Sequence, residues 1–139
     1  MLSQLVYVSL RTSSCTEEEI QKILASCKRN NHDDDITGVL LYSKTHFVQY
    51  LEGAYKKIIA LYDKIKEDQR HKNVVMITSG KLDSRIFPSW QMGARNFDGN
   101  DFDFKTQLAP NEREEFRSIL SGNKHDANKT VDLMRKFFK

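Results

Sequence analysis

The sequence has few cysteines and lacks the long apolar runs of exported or membrane proteins. Its 139 residues include two cysteines, two prolines and one tryptophan, and the cysteines do not form a CxxC pair. Two cysteines exclude a disulfide scaffold and are typical of a reducing compartment. No apolar run approaches the roughly 18 residues of a membrane helix, and the N-terminus lacks signal-peptide features. We therefore expect a soluble, cytoplasmic protein without a metal site.

An excess of one charge is also missing. The chain has 22 Lys and Arg against 19 Asp and Glu, a net charge of +3. Acidic runs at Glu17–Glu19 and Asp33–Asp35 interrupt the basic residues, so a continuous basic face for nucleic acid is not evident. The apolar fraction of 39% is sufficient for the core of one compact domain.

Hydrophobic periodicity predicts a mixed α+β fold. We predict strands over residues 5–10, 36–42, 46–52, 73–79 and 89–94. Two amphipathic helices are predicted, one from the capping box of Thr16 and Glu19 to about Asn31, the other from Ile58 to about Asp68. The order β-α-β-β-α-β-β is that of a ferredoxin-like sheet with two helices on one face.

The last third of the chain has a different character. Residues 95–109 are rich in Asn, Asp, Gly and Phe and predict an irregular connection, and two short helices are predicted from Pro110 and Ala127. Their apolar stripes are Phe116, Ile119 and Leu120, then Val131, Met134 and Phe138. We expect these stripes to cover the free face of the sheet. The chain then divides into a domain at 1–95 and a linker with a helical cap at 96–139.

Two polar side chains fall on strand faces that should be buried. Residues two apart share a face of a strand, so Gln49 lies between Phe47 and Leu51, and Tyr7 occupies an equivalent core position on the first strand. Tyr7 and Gln49 can touch if the first and third strands are neighbours. A buried amide needs such a partner. From periodicity alone, an ordinary structural hydrogen bond is the favoured interpretation.

Other candidate residues also have ordinary interpretations. Asn31 suits a helix C-cap, and the segment Asp68–His71 suits a solvated helix end. Phe87 and the pair of Trp90 and Met92 on the fifth strand suit core positions.

Taken together, however, these residues resemble one family, the BLUF domains that sense blue light with a flavin. The resemblance covers about residues 3–95, and its pieces stand in the family's order and spacing. The segments that carry it are Tyr7–Ser9, Asn30–Asn31, Ile36–Tyr42, Phe47–Gly53, Asp68–His71 and Trp90–Gly93.

The resemblance implies a site and a cofactor. FAD would lie between the two helices, with Tyr7 as the photochemical electron donor and Gln49 as the hydrogen-bond relay to the flavin. Asn31 would bond the carbonyl edge of the ring. At the ribityl or phosphate end it implies Arg70, less surely His71, and Asp68 beside them. Trp90 and Met92 would pass the signal outward.

The resemblance also implies a function without substrate turnover. Light would rearrange the hydrogen bonds of Tyr7 and Gln49, shift the flavin absorption slightly to the red, and relax in darkness. The protein would then signal to a downstream partner of unknown identity. A homo-oligomer is expected on a separate ground, because the apolar stripe of Val131, Met134 and Phe138 could pair between chains. The balanced charge and the lack of long apolar runs lead us to expect no binding to nucleic acid or to a membrane. Signalling is expected through the fifth strand and the C-terminal helices.

Three alternatives stay open at this stage. A flavin-dependent oxidoreductase is disfavoured because no Rossmann glycine fingerprint and no evident acid-base pair is present. A light-inert binding module is compatible with the fold, which hosts many functions. Acyl-phosphate hydrolysis ranks last, because the first loop has no arginine placed to cradle a phosphate.

Overall fold

The strands of the first two thirds of the chain form one twisted sheet. A computed structural model describes residues 2–88, 92–96, 109–123 and 127–136. Within these residues five strands pair in the order β4-β1-β3-β2-β5. They are β1 (Leu2–Arg11), β2 (Thr37–Tyr42), β3 (His46–Ala54), β4 (His71–Lys81) and β5 (Gly93–Asn96). Neighbouring strands are antiparallel, except that β2 and β5 are parallel.

Two helices lie after β1 and β3, and two more follow β5. They are α1 (Glu17–Asp34), α2 (Tyr55–Glu67), α3 (Pro110–Leu120) and α4 (Ala127–Arg135). The hydroxyl of Thr16 accepts a hydrogen bond from the amide of Glu19, which confirms the predicted start of α1. Pro110 occupies the first turn of α3, where its missing N–H costs nothing.

Alternation along the strands gives the sheet two apolar faces. On β1, Leu5 and Tyr7 belong to the core beneath α1 and α2, whereas Val6 and Val8 belong to a second core on the opposite face. The second core includes side chains of α3 and α4, namely Phe116, Ile119, Val131, Leu133 and Met134. The C-terminal helices therefore cover the free face of the sheet, as predicted. Phe138 lies outside the described residues.

The end of α1 differs from the prediction. The helix continues to Asp34, and Asp35 caps it in the left-handed conformation at φ 55°. The interpretation of Asn31 as a C-cap is therefore wrong, because Asn31 lies within the last turns of the helix and is buried. The physical reason is that Asp, like Asn, tolerates the left-handed conformation without glycine.

The fifth strand also differs from the prediction. Among the described residues it covers Gly93–Asn96 and so extends beyond the predicted end at residue 94, because its parallel pairing with β2 continues from Gly93 opposite Val39 to Asn96 opposite Tyr42. Residues 89–91 of the predicted strand lie outside the described residues. Met92 immediately precedes the strand and is buried. Trp90 lies outside the described residues. Within those residues, no helix is long and apolar enough to span a membrane.

The packing of α3 on the sheet generates the first prediction. Phe116 is fully buried in the second core, so replacing it with alanine leaves a cavity beneath α3. We expect Phe116→Ala to lower the free energy of unfolding by about 3–5 kcal/mol, measured by urea denaturation. The exposed Glu114→Ala on the same helix is the control and should change it by less than about 0.5 kcal/mol. Equal effects of the two substitutions would contradict the packing.

Candidate functional site

A cavity of about 290 Å³ lies between α1 and α2, with the sheet as its floor. Apolar side chains form much of its wall, namely Ile23, Leu40, Phe47, Leu61 and Ile65. The polar side chains around it include Tyr7, Asn31, Gln49, Asp68, Arg70 and His71. The fold thus brings together at one cavity the six side chains that the sequence predicted for a cofactor site.

The central contact of the cavity joins β1 to β3. Tyr7 and Gln49 are directly opposed in the antiparallel ladder, and the Tyr7 hydroxyl donates a hydrogen bond of 2.5 Å to Oε1 of Gln49. Both side chains are buried, at 1% and 2% exposure. The predicted contact between them is confirmed.

The other end of the Gln49 amide faces Met92. Nε2 of Gln49 donates to Sδ of Met92 at 3.4 Å. The amide therefore bridges a phenol and a thioether through its oxygen and its nitrogen. Thioether sulfur is a weak acceptor, so this second contact is the weaker of the two.

Burial reinforces the protonated state of the Tyr7 phenol. Desolvation is the main cause that raises the pKa of the Tyr7 phenol well above its ordinary value, and nearby Cys27 and Asp68 raise it further. The phenol therefore stays protonated throughout the physiological range. It retains both an electron and a proton that it can release together.

Cys27 is a cavity residue to which the sequence assigned no role. Burial raises the pKa of its thiol to about 11, although a hydrogen bond with Gln49 and the charge of Arg70 oppose this shift. The thiol is therefore neutral at physiological pH and is a poor nucleophile. It provides the cavity with a small, weakly polar surface beside the Gln49 amide.

A group of charged side chains lies where α2 meets β4. Arg70 makes a bidentate pair with Asp68, whose closest contact is 2.7 Å from Nη2 to Oδ2, and its Nη1 lies 3.5 Å from Glu19. Burial opposes ionisation of Asp68, but hydrogen bonds from Arg70 hold the pKa of that carboxyl below its usual value. The positive charge of Arg70 is therefore largely compensated by two carboxylates.

His71 is a neutral, packed side chain. Its Nδ1 lies 2.8 Å from the Ser9 hydroxyl, and its ring stacks obliquely on Phe47 with centroids 4.5 Å apart. Burial lowers the pKa of His71 to about 4, with Arg70 adding to the shift and Asp68 opposing it. His71 thus lacks the positive charge that the sequence interpretation offered for an anionic cofactor tail.

Several cavity residues were missed at the sequence level. On α2, Leu61, Lys64 and Ile65 line the cavity, and Lys64 is exposed at its solvent side. Helical spacing in the sequence could have indicated the two walls of the cavity that α1 and α2 form. Ile23, Cys27 and Asn31 are four residues apart on α1, and Leu61 and Ile65 repeat that spacing on α2.

The described residues also limit the chemistry available. Among them, no group of three His, Cys, Asp or Glu side chains is arranged to hold a metal ion. Cys15 and Cys27 are both free thiols.

The neutral state of His71 generates the second prediction. Unfolding restores an ordinary pKa near 6.5, so the unfolded chain takes up a proton that the folded chain accepts only near pH 4. The contribution of His71 to stability is therefore complete above about pH 6.5 and is lost as the pH falls toward 4. We expect the titration of His71 to lower the free energy of unfolding by on the order of 2 kcal/mol between pH 7 and pH 5.

The comparison with His71→Gln isolates this contribution, because glutamine can bond Ser9 without titrating. Urea unfolding at pH 7 and pH 5 should show a smaller loss of stability for the variant. An equal loss in both proteins would contradict the neutral, buried state of His71.

Comparison with known proteins identifies the family of the domain that forms this cavity. The family model of sensors of blue light using FAD, the BLUF domain, matches residues 2–93. The photoactivated adenylate cyclase subunit beta of Euglena gracilis is 34% identical over 88 residues, 63% of this chain and 10% of the relative. The blue light- and temperature-regulated antirepressor BluF of Escherichia coli is 32% identical over 87 residues, 63% of this chain and 22% of the relative.

Solved structures agree with the sequence comparison. The dark-state structure of BlrB, a BLUF protein, superposes with a TM-score of 0.77 at 28% identity, covering 97% of this chain and 93% of that one. A bacterial light-regulated adenylyl cyclase gives a TM-score of 0.71 at 31% identity, covering 89% of this chain and 41% of that one. The chain thus spans only about a tenth to a fifth of the curated relatives, but nearly all of BlrB.

These matches confirm the ferredoxin-like fold and decide among the alternatives. They favour a light sensor that binds flavin over a flavin oxidoreductase and over a module without flavin. The chain belongs to the BLUF family of flavin-binding blue-light sensors.

Proposed function

We propose that this chain is a photoreceptor that holds FAD in the cavity between α1 and α2 and uses Tyr7 and Gln49 as its switch. The observation that carries the proposal is the 2.5 Å hydrogen bond between these two buried side chains in the cavity wall. FAD is chosen because the family description names it. Asn31, Asp68, Arg70 and His71 are proposed as further cofactor contacts.

The chemistry of the cavity suits a flavin. Its volume of about 290 Å³ is near the lower limit of the ~300–1,000 Å³ range of small-molecule sites, which suits the ring system rather than a whole dinucleotide. Ile23 on α1 and Leu61 and Ile65 on α2 offer apolar walls for a flat aromatic ring. Lys64 and Arg70 would bind the phosphates of the cofactor. Lys64 would do so from the exposed side of the cavity, and Arg70 through the positive charge that Asp68 and Glu19 leave uncompensated.

The two polar side chains of the switch have complementary abilities. A flavin held in the cavity would supply the absorption of blue light and an excited state that can take up an electron. Tyr7 can release an electron, and its proton can move along the existing hydrogen bond to Oε1 of Gln49. Return of both to Tyr7 completes the cycle, so no substrate is consumed.

The Gln49 amide converts this transfer into a change of contacts. Its oxygen accepts from Tyr7 and its nitrogen donates to Met92 in the described state. Rotation or tautomerisation of the amide exchanges donor and acceptor, so neither contact survives unchanged. The hydrogen bonds offered to the cofactor change with them, which is the proposed origin of the red-shifted lit state.

We propose that the signal leaves through Met92, Trp90 and the C-terminal helices. Met92 directly precedes β5, and α3 and α4 cover the sheet face opposite the cavity. The working division is a flavin domain at 1–95 and a linker with a helical cap at 96–139. A downstream protein would respond only if its affinity differs between the dark and lit states.

The setting of the sensor is part of the proposal. The relatives include cyclases and an antirepressor, so the partner is proposed to be an effector protein or domain, with the chain acting as a homo-oligomer. Two free thiols are compatible with a reducing, cytoplasmic location.

The third prediction tests the switch directly. Tyr7→Phe should retain bound flavin but lose the reversible red shift, because the electron and proton donor is gone. Gln49→Leu should also bind flavin and fail to switch. Tyr62→Phe is the control, since its ring centroid lies 5.9 Å from that of Tyr7 but no hydrogen bond joins it to Gln49. Absorption spectra before and after blue light are the measurement.

The outcomes of this test are separable. Loss of the red shift in Tyr7→Phe and Gln49→Leu, with a normal cycle in Tyr62→Phe, supports the proposed switch. A normal photocycle in Tyr7→Phe or in Gln49→Leu would contradict it.

The fourth prediction concerns Asn31. Its side chain is buried at the cavity, with 1% of its surface exposed, so a cofactor group bonded to it would lose that partner in Asn31→Ala. We expect flavin affinity to fall by about 1–3 kcal/mol, or roughly 5- to 150-fold in Kd. Titration of flavin fluorescence measures this change. The exposed His32→Ala on the same helix should leave Kd unchanged, and an unchanged Kd in Asn31→Ala would remove Asn31 from the site.

A further inference from the structure

A fully buried carboxylate lies on the sheet face opposite the cavity. Glu52 on β3 has 0% of its surface exposed and accepts four hydrogen bonds. The donors are the Thr37 hydroxyl at 3.0 Å, the Tyr50 hydroxyl at 2.8 Å, and the amides of Ile86 at 2.9 Å and Phe87 at 2.7 Å. Burial of a carboxylate is costly unless it is satisfied in this way.

Two of those donors belong to the backbone of the β4–β5 connection. An apolar side chain at position 52 would fill the same space but could not bond these amides. Glu52 therefore fixes the connection at Ile86 and Phe87 to the middle of the sheet. Because bonds to a charged acceptor are stronger than neutral ones, this attachment is firm.

Arg85 attaches the same connection to β2 and α1. Its Nη1 donates to the Thr37 hydroxyl at 2.8 Å and to the Glu52 carbonyl at 3.2 Å. Its Nη2 donates to the carbonyl of Asp35, the C-cap of α1, at 2.7 Å. We call Glu52, Tyr50, Thr37 and Arg85, with the amides of Ile86 and Phe87, the clamp.

The clamp lies next to the proposed switch. Tyr50 follows Gln49 on β3 and points to the other face of the sheet, where its ring meets that of Phe87 edge to face at 5.7 Å. Met92, the acceptor of the Gln49 amide, is five residues beyond Phe87 and directly precedes Gly93, which pairs with Val39 of β2. Met92 is thus held on its downstream side by the pairing of Gly93, and on its upstream side the clamp fixes the chain five residues away, at Phe87.

We propose that Glu52 is a positioning residue for photoswitching, which holds Met92 against Gln49 by clamping the β4–β5 connection to β3. This inference rests on the proposed function of Tyr7 and Gln49. Recovery in darkness requires the Gln49 amide to turn back beside Met92. A firmly anchored Met92 resists that movement, so the clamp slows recovery and lengthens the lit state.

Glu52→Gln tests this inference with little change of volume. The new amide nitrogen cannot accept a hydrogen bond, so the Ile86 or the Phe87 N–H loses its acceptor. In the full-length, flavin-loaded protein we expect dark recovery to accelerate by about 3- to 10-fold, the factor that corresponds to the net loss of one hydrogen bond. Flavin content and the presence of the red shift should be unchanged. Recovery that is unchanged or slower would overturn the proposal.

Two further variants separate positioning from general stability. Arg85→Met keeps the aliphatic stem and lies at the partly exposed edge of the clamp, so it serves if Glu52→Gln does not fold, and it should also accelerate recovery. Ile77→Val removes one methyl group from the same core, distant in sequence from the clamp, and should lower Tm without altering recovery. If Ile77→Val accelerates recovery as much as Arg85→Met, the effect is one of stability and the proposal fails.

The wild-type protein distinguishes this inference from the proposed function. A wild-type protein that binds flavin but shows no reversible red shift contradicts both. A wild-type protein that photocycles, together with clamp variants of normal recovery, contradicts only the role of the clamp.

Discussion

The hydrogen bond between Tyr7 and Gln49 is the contact on which the rest of the site depends. It joins two polar side chains in a core of apolar residues, where an unpaired amide or phenol would cost about 1–3 kcal/mol. The sheet satisfies them by placing β1 beside β3 in a register that opposes the two residues. Burial also raises the pKa of the phenol and so further disfavours its ionised form. The same constraint that stabilises the pair thus leaves the phenol proton in place for the transfer proposed for it.

The sheet connects this pair to the opposite face through short covalent and hydrogen-bonded paths. Gln49 and Tyr50 are adjacent on β3 and point to opposite faces, toward the cavity and toward the core beneath α3 and α4. β2 approaches β3 so closely that a Cβ at Gly38 would lie 1.9 Å from the Tyr50 carbonyl oxygen. A change of the Gln49 side chain at the cavity is therefore only one residue along β3 from Tyr50, which lies on the sheet face that the C-terminal helices cover.

Hydrophobic periodicity predicted the first four strands and their faces, because alternation along a strand is a local property. The contact of Tyr7 with Gln49 also required β1 and β3 to be neighbours, as they are in a ferredoxin-like strand order. The predicted end of α1 at about Asn31 was wrong, because the residue that caps the helix in the left-handed conformation is Asp35. The neutral state of His71 follows from its burial, and the ion pair of Arg70 with Glu19 joins residues distant in sequence, so no local pattern shows either of them. The other partner of Arg70, Asp68, is only two residues away. Glu52 did carry a signal that was missed, since it shares a strand face with Val48 and Tyr50 and so had to be buried.

The central claim is that light reversibly rearranges the hydrogen bonds around a flavin held beside Tyr7 and Gln49. The most direct test is the absorption spectrum of the purified wild-type protein in darkness and immediately after blue light. We expect a flavin spectrum that shifts slightly to the red without bleaching and returns in darkness. A flavin spectrum that bleaches or does not change, or a protein that holds no flavin after reconstitution, would contradict it.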